Sequence, residues 1–345
     1  MQHCEDRNFL HPTQFGSRRH HRAIDLPFIE EMEFEVCRAS GRSLAKFDND
    51  AKSCYDRMIP SLVMLACRSC GLHSTVARLA GFALACMTYN VKIGTHVGSV
   101  TYKHSRDHAI FGVGQGAGNS PFLWAIISSF LFFLYDSRCK GATFVAPLHP
   151  IQLDLNITGF VDDSNAHTNN FTINPHHDDK CLLETLQQSA KLWNLILWTS
   201  GGSLAPSKCS YTLISYAFHK NGTPVLHNKR QLIQDVPITL KCLDTGEDVP
   251  IRCLSPYSSR LTLGCWKDPS GNEIAQISAL KEKCDKYANV VLRSSLTNHE
   301  AWVFYTAIFL PSITYPLPVC HISRKALDKL QRQAFWAITS KCGFN

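Results

Sequence analysis

The chain has 345 residues, 45% of them apolar and 18% charged, and a formal net charge of +7. That length suits two or three packed subdomains, and the apolar share excludes a chain disordered throughout. The positive balance suits a polyanionic partner without requiring one. Fifteen cysteines run from Cys4 to Cys342 with no secretory signal ahead of them, which predicts reduced thiols serving as small core residues of an intracellular protein. The longest apolar run, Phe122 to Tyr135, is shorter than the roughly 20 residues a bilayer core demands. It predicts a buried helix, and no membrane-spanning segment is expected.

In chain order, residues 1–46 are mixed and basic, with Arg18, Arg19, His20, His21 and Arg22 in a row. Residues 44–50 predict a short strand ending in acids. Pro60 suits the first turn of a helix that ends near Gly71, and Ser74 is placed to cap the next, where Val76, Leu79, Ala80, Ala83 and Met87 keep helical spacing. Residues 90–103 carry Val, Ile, Thr and Tyr with Gly, as strands joined by a turn do. A glycine-rich stretch, 112–121, precedes the buried helix. Residues 157–165 predict a hairpin with Asp162 and Asp163 at its tip, and Leu182, Leu183, Leu186, Ala190, Trp193 and Leu197 then share one helical face. A second hairpin over 209–227 turns at Asn221-Gly222. Residues 228–258 hold no readable pattern. Helices are predicted over 277–293 and 323–338. In the second of these Leu327, Leu330, Ala334 and Ile338 form a stripe that Arg324, Lys325, Lys329 and Arg332 avoid. This order predicts an α+β fold with helices on one face of an antiparallel sheet.

Three acids carry the chemistry: Asp50 at a strand end, and Asp162 and Asp163 in a hairpin turn. Carboxylates on neighbouring strands can hold two hard cations about 3.5–4 Å apart, the arrangement that serves phosphoryl transfer. Consecutive residues of a strand point to opposite faces, so one of the pair is expected to be the full ligand, and Asp162 is taken as that one. A bare Asp-Asp pair is common in solvated turns, so the weight rests on its context. Cys67-x-x-Cys70-x-x-His73 has metal-like spacing but no fourth ligand at a usual distance, and its cysteines fall in a predicted helix. The run His176, His177, Asp178, Asp179 reads as a polar loop.

The context is a set of six segments. Residues 47–57 (FDNDAKSCYDR) resemble the first palm motif of reverse transcriptases, with Asp50, Tyr55 and Asp56 at its spacing. Residues 112–121 (GVGQGAGNSP) are similar to the second, 160–163 (FVDD) to the third, and 204–209 (LAPSKC) to the fourth, with Lys208 in its lysine position. Residues 261–266 (LTLGCW) look like the Leu-Gly motif where palm meets thumb. Residues 14–25 (QFGSRRHHRAID) are similar to the Gln-Phe-Gly segment before the first motif, with Ser17 in place of its second aromatic. Their wording is closest to polymerases of non-LTR retrotransposons, and less similar to retroviral or telomerase-like members.

The resemblance implies a right-hand polymerase: partial fingers over 1–46, a palm over 47–258 with an unplaced insertion at 211–258, and a thumb over 259–345. It implies an RNA-directed DNA polymerase core within a retrotransposon polyprotein, found in the nucleus, the cytoplasm or both. Such a core works on an RNA template and a DNA primer with dNTPs, and two Mg²⁺ ions, or Mn²⁺ in their place, serve as cofactors. Asp50, Asp162 and Asp163 would ligate the metals, and Asp48, two residues before Asp50, competes for that role. Tyr55 would gate the sugar, Gln115 and Gly116 would lie beside the nascent base pair, and Lys208 would meet the leaving pyrophosphate. The family has more fingers before the Gln-Phe-Gly segment, so a truncated chain is expected, and a catalytically incomplete nucleic-acid-binding remnant is the alternative. A viral RNA polymerase is disfavoured by Val161 and Tyr55.

Overall fold

A computed structural model describes residues 1–52, 54–103, 112–113, 118–146, 151–170 and 179–344. The elements in chain order are α1 (Gln2–Asp6), α2 (Asp25–Ser40), β1 (Ser43–Asp50), α3 (Cys54–Arg57), α4 (Pro60–Ser69), α5 (Ser74–Ala85), β2 (Thr88–Ile93), β3 (His96–Lys103), α6 (Ser120–Asp136), β4 (Ala142–Val145), β5 (Gln152–Leu155), β6 (Ile157–Phe160), β7 (Asp163–Asn169) and α7 (Asp179–Thr199). They continue with β8 (Ser210–Phe218), β9 (Pro224–Leu226), α8 (Arg230–Asp235), β10 (Thr239–Lys241), β11 (Asp248–Pro250), β12 (Arg252–Cys253), β13 (Arg260–Thr262), β14 (Cys265–Lys267), α9 (Ile274–Arg293), α10 (Asn298–Phe304), a π turn (Tyr305–Phe309), α11 (Leu310–Thr314) and α12 (Arg324–Lys341). The fold is α+β. The chain forms two compact units, one of Met1–Arg22, Arg42–Ser215 and His227–Leu254, the other of Ala23–Gly41, Tyr216–Leu226 and Ser255–Asn345.

The first unit is built on a sheet in the order β12-β8-β1-β7-β6. Its pairs are antiparallel except β12 with β8, which is parallel, so the sheet is mixed where the sequence predicts a purely antiparallel one. β1 is central. Its odd residues Ala45 and Phe47 are fully buried in the main core with Trp193 and Leu197 of α7. Asn49, on the same face, accepts hydrogen bonds from Trp193 Nε1 at 3.1 Å and from the Ser164 hydroxyl at 2.6 Å. These bonds lock the register of β1 against β7 and α7, because a one-residue slip would turn Asn49 away from both partners. Fully burying a side chain such as Phe47 is worth about 1.5–3 kcal/mol. The apolar run at 122–135 lies in α6, which begins with Pro121 in its first turn and buries Leu123, Trp124, Ile126, Ile127, Leu131 and Phe132.

One expectation for this unit needs correction, and two readings gain detail. The cap of α5 is His73, whose ring accepts from Thr75 N at 3.3 Å, and Ser74 is the first helical residue. The stripe on α5 is real in period but open to water: Val76 is 50% exposed and Leu79 67%. Residues 228–258, unreadable in sequence, hold α8, the hairpin β10–β11 and the parallel strand β12.

In the second unit α9 and α12 pack through Leu280, Cys284, Ala288 and Val291 against Ala334, Ala337 and Ile338, joined by Phe309 and Ile313. Ser323 caps α12 by accepting from Ala326 N, and Thr297 with Glu300 closes a capping box on α10. The stripe read from Leu327 to Ile338 faces this core, while Arg324, Lys325, Lys329 and Arg332 are exposed. Leu263 and Gly264, both at positive φ, form the tight turn of the β13–β14 hairpin. The sequence reading missed α2, with Pro27 in its first turn, and the segment α10–π turn–α11, interrupted by Pro311. Among the described residues, Asn298–Val319 is one stretch long and apolar enough by length and composition to cross a membrane; 22% of it is buried here.

Candidate active site

The acids meet at one end of β1. The antiparallel register sets Asp50, the last residue of β1, directly opposite Asp163, the first of β7. Directly opposed residues share a sheet face with Cβ atoms about 4.5–5.5 Å apart. Asp162 precedes Asp163 in the two-residue turn that closes the β6–β7 hairpin, where Phe160 pairs with Asp163. Asp48 and Asp50, two apart on β1, share the face opposite the one that Asn49 turns to Trp193.

This crowding of negative charge has an electrostatic cost. Partial burial, then the charges of Asp162 and Asp50, push the Asp163 carboxyl above the ordinary carboxylate range. Nearby, burial and then the charge of Asp162 push the Cys54 thiol up to about 12. A site with surplus carboxylate charge and open access is chemically suited to hard cations. Among the described residues, another group of potential ligands is Glu31, Glu35 and His321. Those three, in the second unit, are a group whose ligand atoms all lie within 4.8 Å of one another. Lys267 pairs with Glu31 there, and Arg38 Nη1 lies 2.6 Å from Glu35 Oε1, so its carboxylates already have protein cations.

Asp48 differs from Asp50 in its surroundings. The fully buried Lys46 places its ammonium 3.6 Å from Asp48 Oδ1. With its amide nitrogen turned toward Asp48, Asn165 donates to the same oxygen at 3.1 Å. Asp48 thus has a buried protein cation beside it within the sheet, while Asp50 has the exposed Lys208 at 3.7 Å. Lys208 arrives because residues 204–209 fold onto the end of β1: Leu204 bridges to Ala51, and Ala205 N donates to the Asp50 carbonyl at 3.0 Å.

Tyr55 stands on α3, just beyond β1. Its ring lies 6.2 Å from that of Trp124, and burial, then Cys54 and Asp162, push its hydroxyl up to about 12. Val113 N donates to the Tyr55 carbonyl at 2.9 Å, and a Cβ on Gly112 would lie 2.7 Å from Asp56 Cα. The glycine-rich stretch therefore begins against the backbone of the first motif, a closeness that only a residue without a Cβ permits. Gln115 and Gly116 lie outside the described residues, as do His176, His177 and Asp178.

Sequence reasoning missed Asp244, in the turn between β10 and β11. It receives Arg57 Nη2 at 2.8 Å and Lys52 Nζ at 3.2 Å, and Ser203 donates to it at 3.3 Å. Burial raises this carboxyl, but the hydrogen bonds and charges of Arg57 and Lys52 outweigh that and hold it below its ordinary value. No local pattern marks Asp244, because its partners come from the far end of the unit's sequence. Cys67 and Cys70 are buried beside Cys4 on a cavity of about 610 Å³, and burial followed by Cys4 pushes the two thiols up to about 11 and about 12. His73 is exposed and occupied in capping α5.

No family model and no curated protein matches the chain. Among solved structures it is similar to telomerase from Candida albicans bound to a fragment of telomeric RNA, at 12% identity and a TM-score of 0.37, covering 96% of this chain and 44% of that one. It is also similar to apo telomerase from Candida tropicalis, at 12% identity and a TM-score of 0.33, covering 99% and 52%. The chain thus spans about half the length of these structures.

Proposed function

We propose that the chain is the core of an RNA-directed DNA polymerase of the non-LTR retrotransposon kind. The observation that carries this reading is the strand register that sets Asp50 against Asp163, beside Asp162, with Tyr55 and Lys208 gathered at the same strand end. Three segments far apart in sequence, resembling the first, third and fourth polymerase motifs, supply these residues, which supports the reading.

Asp50, Asp162 and Asp163 would hold two Mg²⁺ ions, or Mn²⁺, which when bound neutralise a triphosphate and make a 3′-hydroxyl nucleophilic. The carboxylate charges of Asp162 and Asp50 that crowd Asp163 fit that load. Asp48, tied to Lys46, stays outside the ligand set. Tyr55 lies beneath the sugar of the incoming dNTP and its bulk excludes a 2′-hydroxyl. Lys208, 67% exposed at its side chain and free to swing from Asp50, offers its ammonium to the departing pyrophosphate. On the resemblance alone, Gln115 and Gly116, which lie outside the described residues, would serve the nascent base pair. The exposed Lys325, Lys329 and Arg332 of α12 grip a template–primer duplex through its phosphates, without reading sequence.

Extension of a primer on poly(rA) with dTTP and Mg²⁺ at low salt tests the reading. The chain is expected to extend the primer and its Asp162→Asn variant is not. Extension that survives Asp162→Asn, or a preference for ribonucleotides, would overturn it. Salt-dependent duplex binding without extension by either protein would instead mark a nucleic-acid-binding remnant of such an element.

A further inference from the structure

The turn that carries Asp162 is held in an unfavourable conformation. Val161, its first residue, has φ +59. Glycine is the usual occupant of the left-handed region, and a β-branched residue there is a backbone outlier that persists only when its surroundings impose it. Two groups meet the backbone of Val161 itself.

The first is Gly16. Residues 13–16 run along the outer edge of β6: Gln14 bridges Gly159 in parallel, Phe15 N donates to Gly159 O at 2.8 Å, and Gly159 N donates to Thr13 O at 3.0 Å. This edge strand delivers Gly16 onto the turn, where a Cβ would lie 2.3 Å from Val161 N and 3.0 Å from Val161 Cα. The clash is with backbone, so no side-chain movement relieves it. Gln14 fixes the approach. It is fully buried, its amide donates to Ser128 Oγ at 2.8 Å, and its carbonyl accepts from Gly16 N at 3.0 Å. The second group is Trp124, whose indole Nε1 donates to the Val161 carbonyl. Trp124 and Ser128 are one turn apart on α6, so a single helix anchors both supports.

We propose that Gly16 and Trp124 are positioning residues that hold Val161 left-handed and thereby aim the Asp162 carboxylate at the metal seat. This rests on the polymerase reading, since it assigns the turn a metal to meet. A left-handed Val161 rotates the peptide that leads into Asp162, and release toward an ordinary β conformation would swing the carboxylate away from Asp50. Gly16 is thus required for its lack of a Cβ, and Trp124 for its N–H.

The test reads Mn²⁺ affinity by titration calorimetry, which needs no turnover, alongside far-UV circular dichroism and duplex binding as checks of fold. Trp124→Phe keeps an aromatic ring and loses the donor. It is expected to weaken Mn²⁺ binding at least tenfold while duplex binding is unchanged. Gly16→Ala is expected to do the same or more. Adding Val161→Gly to Trp124→Phe is expected to restore affinity to within about threefold of the parent, because glycine adopts the left-handed region unaided. Wild-type affinity in Trp124→Phe, or a loss that Val161→Gly does not rescue, would overturn the proposal, since a merely structural tryptophan is indifferent to the identity of residue 161. Parent-chain Mn²⁺ binding that is unaffected by Asp162→Asn would overturn the polymerase reading itself, and the proposal with it.

Discussion

Asp50 and Asp163 face each other across adjacent antiparallel strands, and the charge of Asp50 is one of the causes that raise the Asp163 carboxyl. The folded chain therefore holds this proton more tightly than the unfolded chain does. Its contribution to stability is complete below the unfolded titration and is lost as pH rises through the folded one. In chelator, this group's own contribution lowers the melting temperature as pH rises through that window, against the opposite slope of carboxyls such as Asp244 that are held low. Asp50→Asn should narrow the window by removing one of the repelling charges. Thermal melts of both proteins across the acidic range, with EDTA, check this as a difference; a difference in melting temperature between the parent and Asp50→Asn that does not change with pH over that interval contradicts it.

Lys208 is two-thirds exposed and its distance to Asp50 is long for an ion pair. Such a pair contributes about 0–1 kcal/mol, so Lys208→Ala should leave the urea midpoint almost unchanged. If Lys208 assists the leaving group, the same variant should lose about 10²-fold in the rate of nucleotide addition, within the usual range for general acid catalysis. Single-turnover extension separates the two effects, and a large stability loss with intact chemistry would assign Lys208 to structure instead.

If α12 meets a duplex as proposed, its cations should give a salt signature. Replacing Lys325, Lys329 and Arg332 together with alanine should reduce the slope of log affinity against log salt by about 0.9 for each phosphate that is no longer neutralised. Fluorescence anisotropy with a labelled duplex over a salt series measures it. All three side chains are exposed, so the helix should stay folded, and an unchanged slope would remove α12 from the duplex interface.

Asp244 ties the β10–β11 turn to the segment following Asp50 through Arg57 and Lys52. Asp244→Asn keeps the shape and removes the charge. A loss of about 1 kcal/mol is expected, as for a partly exposed charged network. The loss should be present at neutral pH and vanish as pH falls and the parent carboxyl protonates, because this carboxyl is held below its ordinary value when folded. Urea denaturation at neutral and acidic pH distinguishes this from a pH-independent packing defect.

Where a segment's partner is local, the sequence was readable. The Asp162-Asp163 hairpin, the Asn221-Gly222 turn, Pro60 at a helix start and the α12 stripe all follow from neighbours within a few residues. The helical period of Val76 and Leu79 was legible too, but a period states which residues share a face, not what covers it, and this face meets water. β12 was illegible because its two residues are a strand only by virtue of pairing with Ser210 and Tyr211. At the candidate site, motif spacing singled out Asp50 over Asp48. The physical difference between them, the buried Lys46 ammonium, becomes visible only once β1 is laid in its sheet.

The central position of β1 also sets an order of events during synthesis. Its Leu44 pairs with Asn169 on one side and Ile214 on the other. Neither neighbour has left the ribosome when β1 emerges, so the strand waits with both edges unpaired while most of the unit is still being made. Such non-local pairing folds slowly and leaves strand edges open to aggregation in the interval. Nascent chains stopped before β8 should therefore be chaperone clients, and the carboxylate cluster at the end of β1 is assembled late in the making of the first unit.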